Sequence, residues 1–118
     1  MNRFKELLVW QKSVDLSVSV YRITEHFPVK EVYGLTSQLR RSAVSIPSNL
    51  AEGAGRNKSG EFVNFIGIAL GSSFELETQL IIAQKVGFLN EIDFININKQ
   101  LAEIQNMLFG LKKSLVKS

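Results

Sequence analysis

The sequence of 118 residues contains no cysteine, two prolines and a single histidine, His26. The lack of cysteine excludes disulfides and thiolate metal sites. One histidine supplies too few ligands for a zinc or haem site, and the Glu-x-x-His motif of di-iron bundles does not occur. We therefore expect no cofactor and no bound metal.

Long apolar runs and targeting signals are also missing. The first ten residues contain only four consecutive apolar residues, which is too few for a secretory signal. The longest uncharged run, from Phe62 to Phe74, is shorter than the roughly 20 residues that cross a bilayer. These absences predict a cytoplasmic protein with no membrane partner.

Catalytic constellations are equally scarce. Glu75 and Glu77 are two residues apart, so they point to different sides of a helix. Ser45 and Ser48 have no histidine base nearby in the sequence. The glycine-rich segment 53–56 follows a helical pattern rather than a strand, so it matches no P-loop or dinucleotide motif. We expect no catalytic residue and no enzymatic activity.

Four segments place apolar residues at alternating steps of three and four, which predicts amphipathic helices. Their expected ranges are about Leu8 to Phe27, Val32 to Gly55, Gly60 to Val86, and Asn90 or Asp93 onward. Asn57 or Ser59 is expected to cap the third helix at its start, and Gly87 to terminate it. Because the connections are short, neighbouring helices should be antiparallel. The predicted fold is all-α, an antiparallel up-down-up-down four-helix bundle, with residues 1–118 as a single domain.

The apolar surface exceeds what one seam per helix can hide. The third helix carries a second stripe that includes Phe74 and Ile81. Gly67 and Gly71, in the middle of the same helix, indicate that another backbone passes close by, because glycine costs roughly 1 kcal/mol against alanine there. A wide bundle core could hide this surface, but we expect a homo-oligomer instead. The predicted interface residues are Trp10, Ser45, Ser48, Asn49, Glu52 and Phe74.

Polar residues follow one face of the second helix, and Pro47 interrupts its interior. We call this set the polar stripe; its members are Arg41, Ser45, Ser48, Glu52 and Arg56. Glu52 lies one turn before Arg56, so the two can form a simple surface ion pair. The other interpretation is that Glu52 pairs with an arginine at a partly buried subunit interface.

The net charge of +3 is unevenly distributed along the chain. Residues 38–58 and residues 99–118 each carry a net +3, whereas residues 59–98 carry −4. Such asymmetry can form a basic face that attracts phosphates, or it can be spread over solvated helix surfaces. The predicted phosphate contacts are Arg40, Arg41, Arg56 and Lys58, with Lys12 and Arg22 as weaker candidates.

Several words of the sequence resemble one protein family. They include LVWQKS at residues 8–13, QLRRS at 38–42, SIPSNLAEG at 45–53 and ELETQL at 75–80. The chain resembles, over about residues 4–90, the four-helix-bundle proteins encoded in intervening sequences of bacterial 23S ribosomal RNA genes. The fourth helix contains no word that we can match.

The resemblance implies a small bacterial bundle that assembles into a ring, with five subunits. It extends to the accessory protein of diversity-generating retroelements, a basic pentameric barrel that binds nucleic acid and a reverse transcriptase. We therefore predict a non-enzymatic oligomer that binds structured RNA or DNA through the phosphate backbone. The alternative is a protein-binding scaffold with no nucleic-acid role.

Overall fold

Four long helices form the bundle in the computed structural model, which describes residues 3–117; residues 1, 2 and 118 of the predicted domain lie outside that range. The helices are α1 (Leu8–Thr24), α2 (Leu35–Ala54), α3 (Ser59–Lys85) and α4 (Glu91–Lys117). Short 3-10 turns at Phe4–Glu6 and Val29–Glu31 precede α1 and α2. No strand occurs between residues 3 and 117, and the predicted all-α fold is confirmed.

Side-chain contacts show that neighbouring helices run in opposite directions. Ser17 of α1 contacts Ala43 of α2, whereas Thr24, further along α1, contacts the earlier residue Arg40. Ser42 and Ser45 of α2 likewise contact Gln79 and then Ser72 of α3. Helix α4 packs against α3 and α1, so the four helices close into a rod of 45 × 23 × 20 Å.

The predicted apolar seams line the core. Each helix contributes at least three fully or almost fully buried residues to it, because its seam falls on the side that faces the other helices. The largest fully buried side chains are Leu16, Val20, Leu39, Ile46, Leu50, Ile66, Leu76, Leu80, Ile97, Leu101, Ile104 and Leu108.

Helix boundaries differ from the prediction at two places. Helix α1 ends at Thr24 rather than Phe27, because Pro28 restricts the backbone of the residue before it and leaves room only for a turn. Helix α2 begins at Leu35 rather than Val32, and the Glu31 carboxylate accepts the Leu35 N–H at 3.2 Å. A glutamate from the preceding 3-10 turn thus satisfies one of the free donors at the start of α2.

Local signals mark both ends of the α3–α4 connection, and the predicted termination of α3 at Gly87 is confirmed. Gly87 has a φ of +86°, and the Phe88 N–H reaches the Ala83 carbonyl in a Schellman turn. Asn90 caps α4 by accepting the Asp93 N–H at 2.8 Å. The expected cap of α3 is wrong: Lys58 is the N-cap residue, and no side chain of Asn57 or Ser59 bonds to that helix start.

Helix α3 is long and apolar enough to cross a membrane, judged by length and composition alone. The longest uncharged run did not reveal this property, because a helix can contain an occasional charged residue and still be apolar on average. Its inward side supplies Ile66, Ala69, Leu76 and Leu80 to the core. Its outward side also carries apolar residues, which accounts for the high apolar content of the helix.

The expected close approach at Gly67 and Gly71 is wrong within the described chain. A Cβ at either position would meet no atom within 4 Å. The crowded glycine is Gly53 at the end of α2, where a Cβ would lie 2.5 Å from the Phe65 Cβ of α3. Gly53 thus allows the α2–α3 hairpin to close, while Gly67 and Gly71 leave an open surface on α3.

Pro47 is buried inside α2, and its missing N–H leaves the Ala43 carbonyl without its usual helical donor. The Ser17 hydroxyl of α1 lies 3.1 Å from the Ala43 oxygen and 3.0 Å from the Ser13 oxygen. Ser17 is itself buried, so water cannot readily replace it. The single hydroxyl proton of Ser17 is shared between these two carbonyls, so a small polar residue of α1 replaces in part the donor that proline removes from α2.

We predict that Ser17→Ala lowers the free energy of unfolding by about 1–3 kcal/mol, because it leaves the buried Ala43 carbonyl unsatisfied. Pro47→Ala restores an N–H, so Ser17→Ala should cost less in that background. Urea denaturation of the two single variants and the double variant measures this coupling. Ser19→Ala on the same helix is the control. Equal costs of Ser17→Ala in both backgrounds would show that the hydroxyl does not serve Ala43.

Candidate nucleic-acid interface

The polar stripe of α2 faces outward, but some of its members are engaged with α3. The Ser45 hydroxyl lies 2.8 Å from the Ser72 hydroxyl, and the Asn49 side chain donates to Ser45 at 2.9 Å. Ser42, one turn earlier, donates to Gln79 at 2.7 Å. Ser45 and Asn49, which we predicted at a subunit interface, therefore already help to hold α2 against α3.

Arg40 is held within the chain. Its Nε–H donates to the Thr24 hydroxyl at 2.9 Å, and its guanidinium lies over the Tyr21 ring at 4.5 Å. Thr24 in turn donates to the Val20 carbonyl. This arrangement fixes the start of α2 against the end of α1 and occupies part of the guanidinium that a phosphate would need.

Arg41 points to a different side of α2 from Arg40, because one residue along a helix turns the side chain by about 100°. It is exposed, and no hydrogen bond or ion pair within residues 3–117 engages it. Two open grooves flank it, of about 450 and 520 Å³, and Ser37, Arg41 and Ser45 line both. Arg41 therefore projects between the two grooves, and a ligand in either groove can reach its guanidinium.

Arg56 and Lys58 lie together at the turn between α2 and α3. Arg56 pairs with Glu52 at 3.2 Å and lies 5.2 Å from the centre of the Phe65 ring. The side chains of this pair are 45% and 55% exposed, so within one chain the pair is a surface ion pair worth a few tenths of a kcal/mol. Lys58 is exposed and has no ion pair in the described part of the chain.

The two weaker candidates lie on α1. Lys12 pairs with Glu103 of α4 at 3.0 Å. Arg22 is exposed and, among the residues that the structure describes, has no acidic partner. The six predicted basic residues therefore do not form one site. Arg40, Arg56 and Lys12 have intrachain partners, whereas Arg22, Arg41 and Lys58 project freely.

The aromatic residues predicted at an interface have different exposures. Trp10 is half-buried and packs edge-on against Phe4, with ring centres 5.2 Å apart. Phe74 is 46% exposed and lies beside Phe109 of α4, which is 51% exposed. Phe74 and Phe109 therefore present an open apolar surface, while Trp10 is partly used inside the chain. Ser48 and Glu52 are both exposed.

No catalytic arrangement is visible in the described residues. His26 is exposed, and no three His, Asp or Glu side chains between residues 3 and 117 are grouped to hold a metal ion. Glu75 and Glu77 do separate, as their spacing predicts: Glu77 accepts from Gln105 of α4 at 3.0 Å, and Glu75 lines a groove beside α2. They cannot act on one reacting centre.

Comparison with known proteins places these features in a family. The model of the 23S rRNA-intervening sequence proteins matches residues 5–110. The chain belongs to this family. The match extends through most of α4, beyond the part in which we recognised sequence words. The family description names a ribosomal RNA intervening sequence and no enzyme class.

A solved structure supports this membership. It is a protein of unknown function from the S23 ribosomal protein family of Bacteroides thetaiotaomicron, similar to this chain with a TM-score of 0.80 and 25% sequence identity. The alignment covers 90% of this chain and 99% of that protein. Among curated proteins, no match was found. The two proteins thus share one bundle over nearly their whole length.

We predict that the neighbouring arginines of α2 differ in their contribution to stability. Arg40→Ala should lower the free energy of unfolding by about 1–2 kcal/mol, because it removes a charged hydrogen bond and a cation–π contact. Arg41→Ala, at an exposed and unpaired position, should change it by less than about 0.5 kcal/mol. Chemical denaturation of both variants measures the difference. Equal losses would mean that Arg41 has a partner outside the single chain.

Proposed function

We propose that this protein is a non-catalytic, self-associating bundle of the cytoplasm that binds structured RNA, or DNA, through the phosphate backbone. The observation that carries the proposal is the exposure of Arg22, Arg41 and Lys58, which have no acidic partner within residues 3–117. Exposed cations without intrachain partners remain available to bind an external anion. The membership in a family named for ribosomal RNA intervening sequences favours a nucleic acid as that anion.

The side chains available favour contact with phosphates over the reading of bases. The guanidinium of Arg41 can donate two parallel hydrogen bonds to a phosphate, and Ser37 beside it adds a hydroxyl donor. Contacts of this type position a protein on a nucleic acid but carry no sequence information directly. The protein should therefore select RNA by shape and charge rather than by sequence.

The apolar side chains on the outer faces of the bundle support self-association. Ile68, Phe74 and Ile82 of α3 and Phe109 of α4 are each 45–51% exposed. Gly67 and Gly71 lie beside them and leave space above α3. Exposed apolar patches of this kind are rare on monomers and mark contact surfaces. A symmetric ring, with the five subunits that the resemblance implies, would also repeat each weak phosphate contact several times.

The second candidate function is a protein-binding scaffold with no nucleic-acid role. The observation in its favour is that Arg40, Arg56 and Lys12 already have intrachain partners. Salt dependence separates the two candidates. Phosphate binding weakens steeply as salt rises, whereas association through apolar surface does not.

We predict that sedimentation equilibrium gives a mass several times 13.2 kDa, the mass of one chain. Gly71→Ala should raise the helix propensity of α3 but weaken assembly, because a neighbouring subunit would meet the added methyl group. Gly110→Ala, also in open space on α4, is the control and should leave assembly unchanged. A 13.2 kDa species at micromolar concentration would refute self-association.

We predict that the wild-type protein binds unrelated RNA duplexes of equal length with similar affinity. The logarithm of the binding constant should fall linearly with the logarithm of salt concentration, with a slope of about −0.9 for each phosphate neutralised. Filter binding at two or more salt concentrations measures this slope. Lys58→Ala should weaken binding to all duplexes alike, while Lys85→Ala, from the acidic segment, should not. Absence of binding at low salt would leave the scaffold as the better candidate.

A further inference from the structure

The distribution of charge between the two halves of the bundle points to one end as the contact surface. Because the helices alternate in direction, the first half of α1 lies beside the second half of α2, the first half of α3 and the second half of α4. The other four halves form the opposite end. Residues that are far apart in the sequence therefore share an end.

The excess of positive charge in the described chain lies in one of these halves. Among residues 3–116, seven basic residues in that half face five acidic ones, with Glu103 counted beside its ion-pair partner Lys12; the basic residues are Arg3, Lys5, Lys12, Arg56, Lys58, Lys112 and Lys113. In the opposite half, six basic residues, including Arg22 and Arg41, face six acidic ones. The first half therefore carries a net +2 and the second no net charge.

Intrachain ion pairs do not neutralise this end. Arg3 pairs with Glu6 at 3.5 Å, Arg56 with Glu52 and Lys12 with Glu103. The four lysines nearest the tip have no such partner among the described residues; we call them the basic tip, and they are Lys5, Lys58, Lys112 and Lys113. Two helices begin here and two end here, so the helix dipoles largely cancel and the charge comes from the side chains.

Contacts between elements bring the segments that carry the basic tip to the same end of the bundle. The 3-10 turn at Phe4–Glu6, which contains Lys5, packs on α2. Arg56 and Lys58 of the α2–α3 turn line one cavity of about 250 Å³ together with Leu115 of α4. Lys112 lies one turn before Leu115. Three separate segments of the chain thus place their lysines around one end of the rod.

We propose that the basic tip is the surface of this protein that contacts the phosphates of a structured RNA. The proposal rests on the proposed function and locates its main contact: of the three free cations named above, Lys58 belongs to the basic tip, while Arg22 and Arg41 lie in the half without net charge and would add only separate, weaker contacts. The bundle is about 20 Å wide at its narrow dimensions. A duplex carries one charge per about 1.7 Å of its axis, so this width faces several phosphates at once.

The test compares two triple variants that remove the same charge from opposite halves. The tip variant is Lys58→Ala, Lys112→Ala and Lys113→Ala; the matched control is Lys30→Ala, Lys85→Ala and Lys99→Ala. Both are titrated with the same RNA duplex over a range of salt concentrations. The tip variant should bind at least about tenfold more weakly at low salt, and its salt slope should be shallower by up to about three times 0.9. The control should bind like the wild type.

Circular dichroism melts establish that both triple variants fold. Because Lys112 is half-buried, a second tip variant replaces the same three lysines by glutamine. Glutamine removes the charge but keeps most of the side chain, so this variant should show the same loss of RNA affinity. Equal weakening by both triple alanine variants would overturn the proposal, because it would indicate diffuse attraction to the whole molecule. Loss only in an Arg22→Ala, Arg41→Ala variant would also overturn it, but the proposed function would stand.

Two further outcomes depend on whether the protein binds RNA or anionic lipid. If the wild type does not bind RNA at low salt, both the proposed function and the basic tip as an RNA surface are refuted. Vesicles that contain phosphatidylserine are included in parallel, because lysines at a surface also attract anionic lipids. Tip-dependent retention on vesicles without RNA binding would overturn the proposal in favour of a membrane surface.

Discussion

The hydrogen bond from Ser17 to the Ala43 carbonyl is the contact on which the placement of α2 depends. Leucine and isoleucine seams drive the helices together, but such seams can slide by a turn with little loss of burial. The Ala43 carbonyl, which Pro47 deprives of its helical donor, accepts from a hydroxyl that lies at the matching height on the neighbouring helix. Pro47 therefore makes the height of α1 against α2 specific.

Small polar contacts fix the remaining helices in the same way. Ser42 and Ser45 set α2 against α3 through Gln79 and Ser72. Gln105 sets α4 against α3 through Ser73 and Glu77. In the described residues, no buried side-chain nitrogen or oxygen lacks a hydrogen-bond partner. The polar contacts at the helix seams thus make the alignment specific, while the apolar core supplies most of the free energy of folding.

The sequence predicts the helices well because their signals are local. The seam of α4, the positive φ of Gly87 and the cap at Asn90 each depend on residues a few positions apart. The prediction for Gly67 and Gly71 was wrong within the described chain because glycine content does not show which helix face meets a neighbour.

The partners of the candidate site residues could not be predicted in the same way. Arg40 and Arg41 look equivalent in the sequence, yet Arg40 contacts Thr24, sixteen residues earlier, and Arg41 has no such partner among the described residues. The basic tip could not be predicted from the sequence either. The sequence shows that residues 38–58 and 99–118 each carry a net +3, but only the order of the helices in the bundle brings parts of these two segments to the same end. The bundle order places Lys58 and Lys112 in one half of the rod and Arg41 in the other.

The positions of the apolar and basic surfaces also restrict which arrangement of subunits agrees with both the proposed self-association and the proposed RNA contact. The exposed residues Ile68, Phe74 and Phe109 lie along the side of the bundle, whereas the basic tip is at its end. A ring whose axis runs parallel to the bundles would bury the sides and place every tip on one face. An RNA that reaches one tip would then meet the next at high effective concentration. An antiparallel dimer would separate the tips and lose this gain, so the proposed RNA contact favours cyclic symmetry, which would repeat a net charge of +2 per half-bundle on one face.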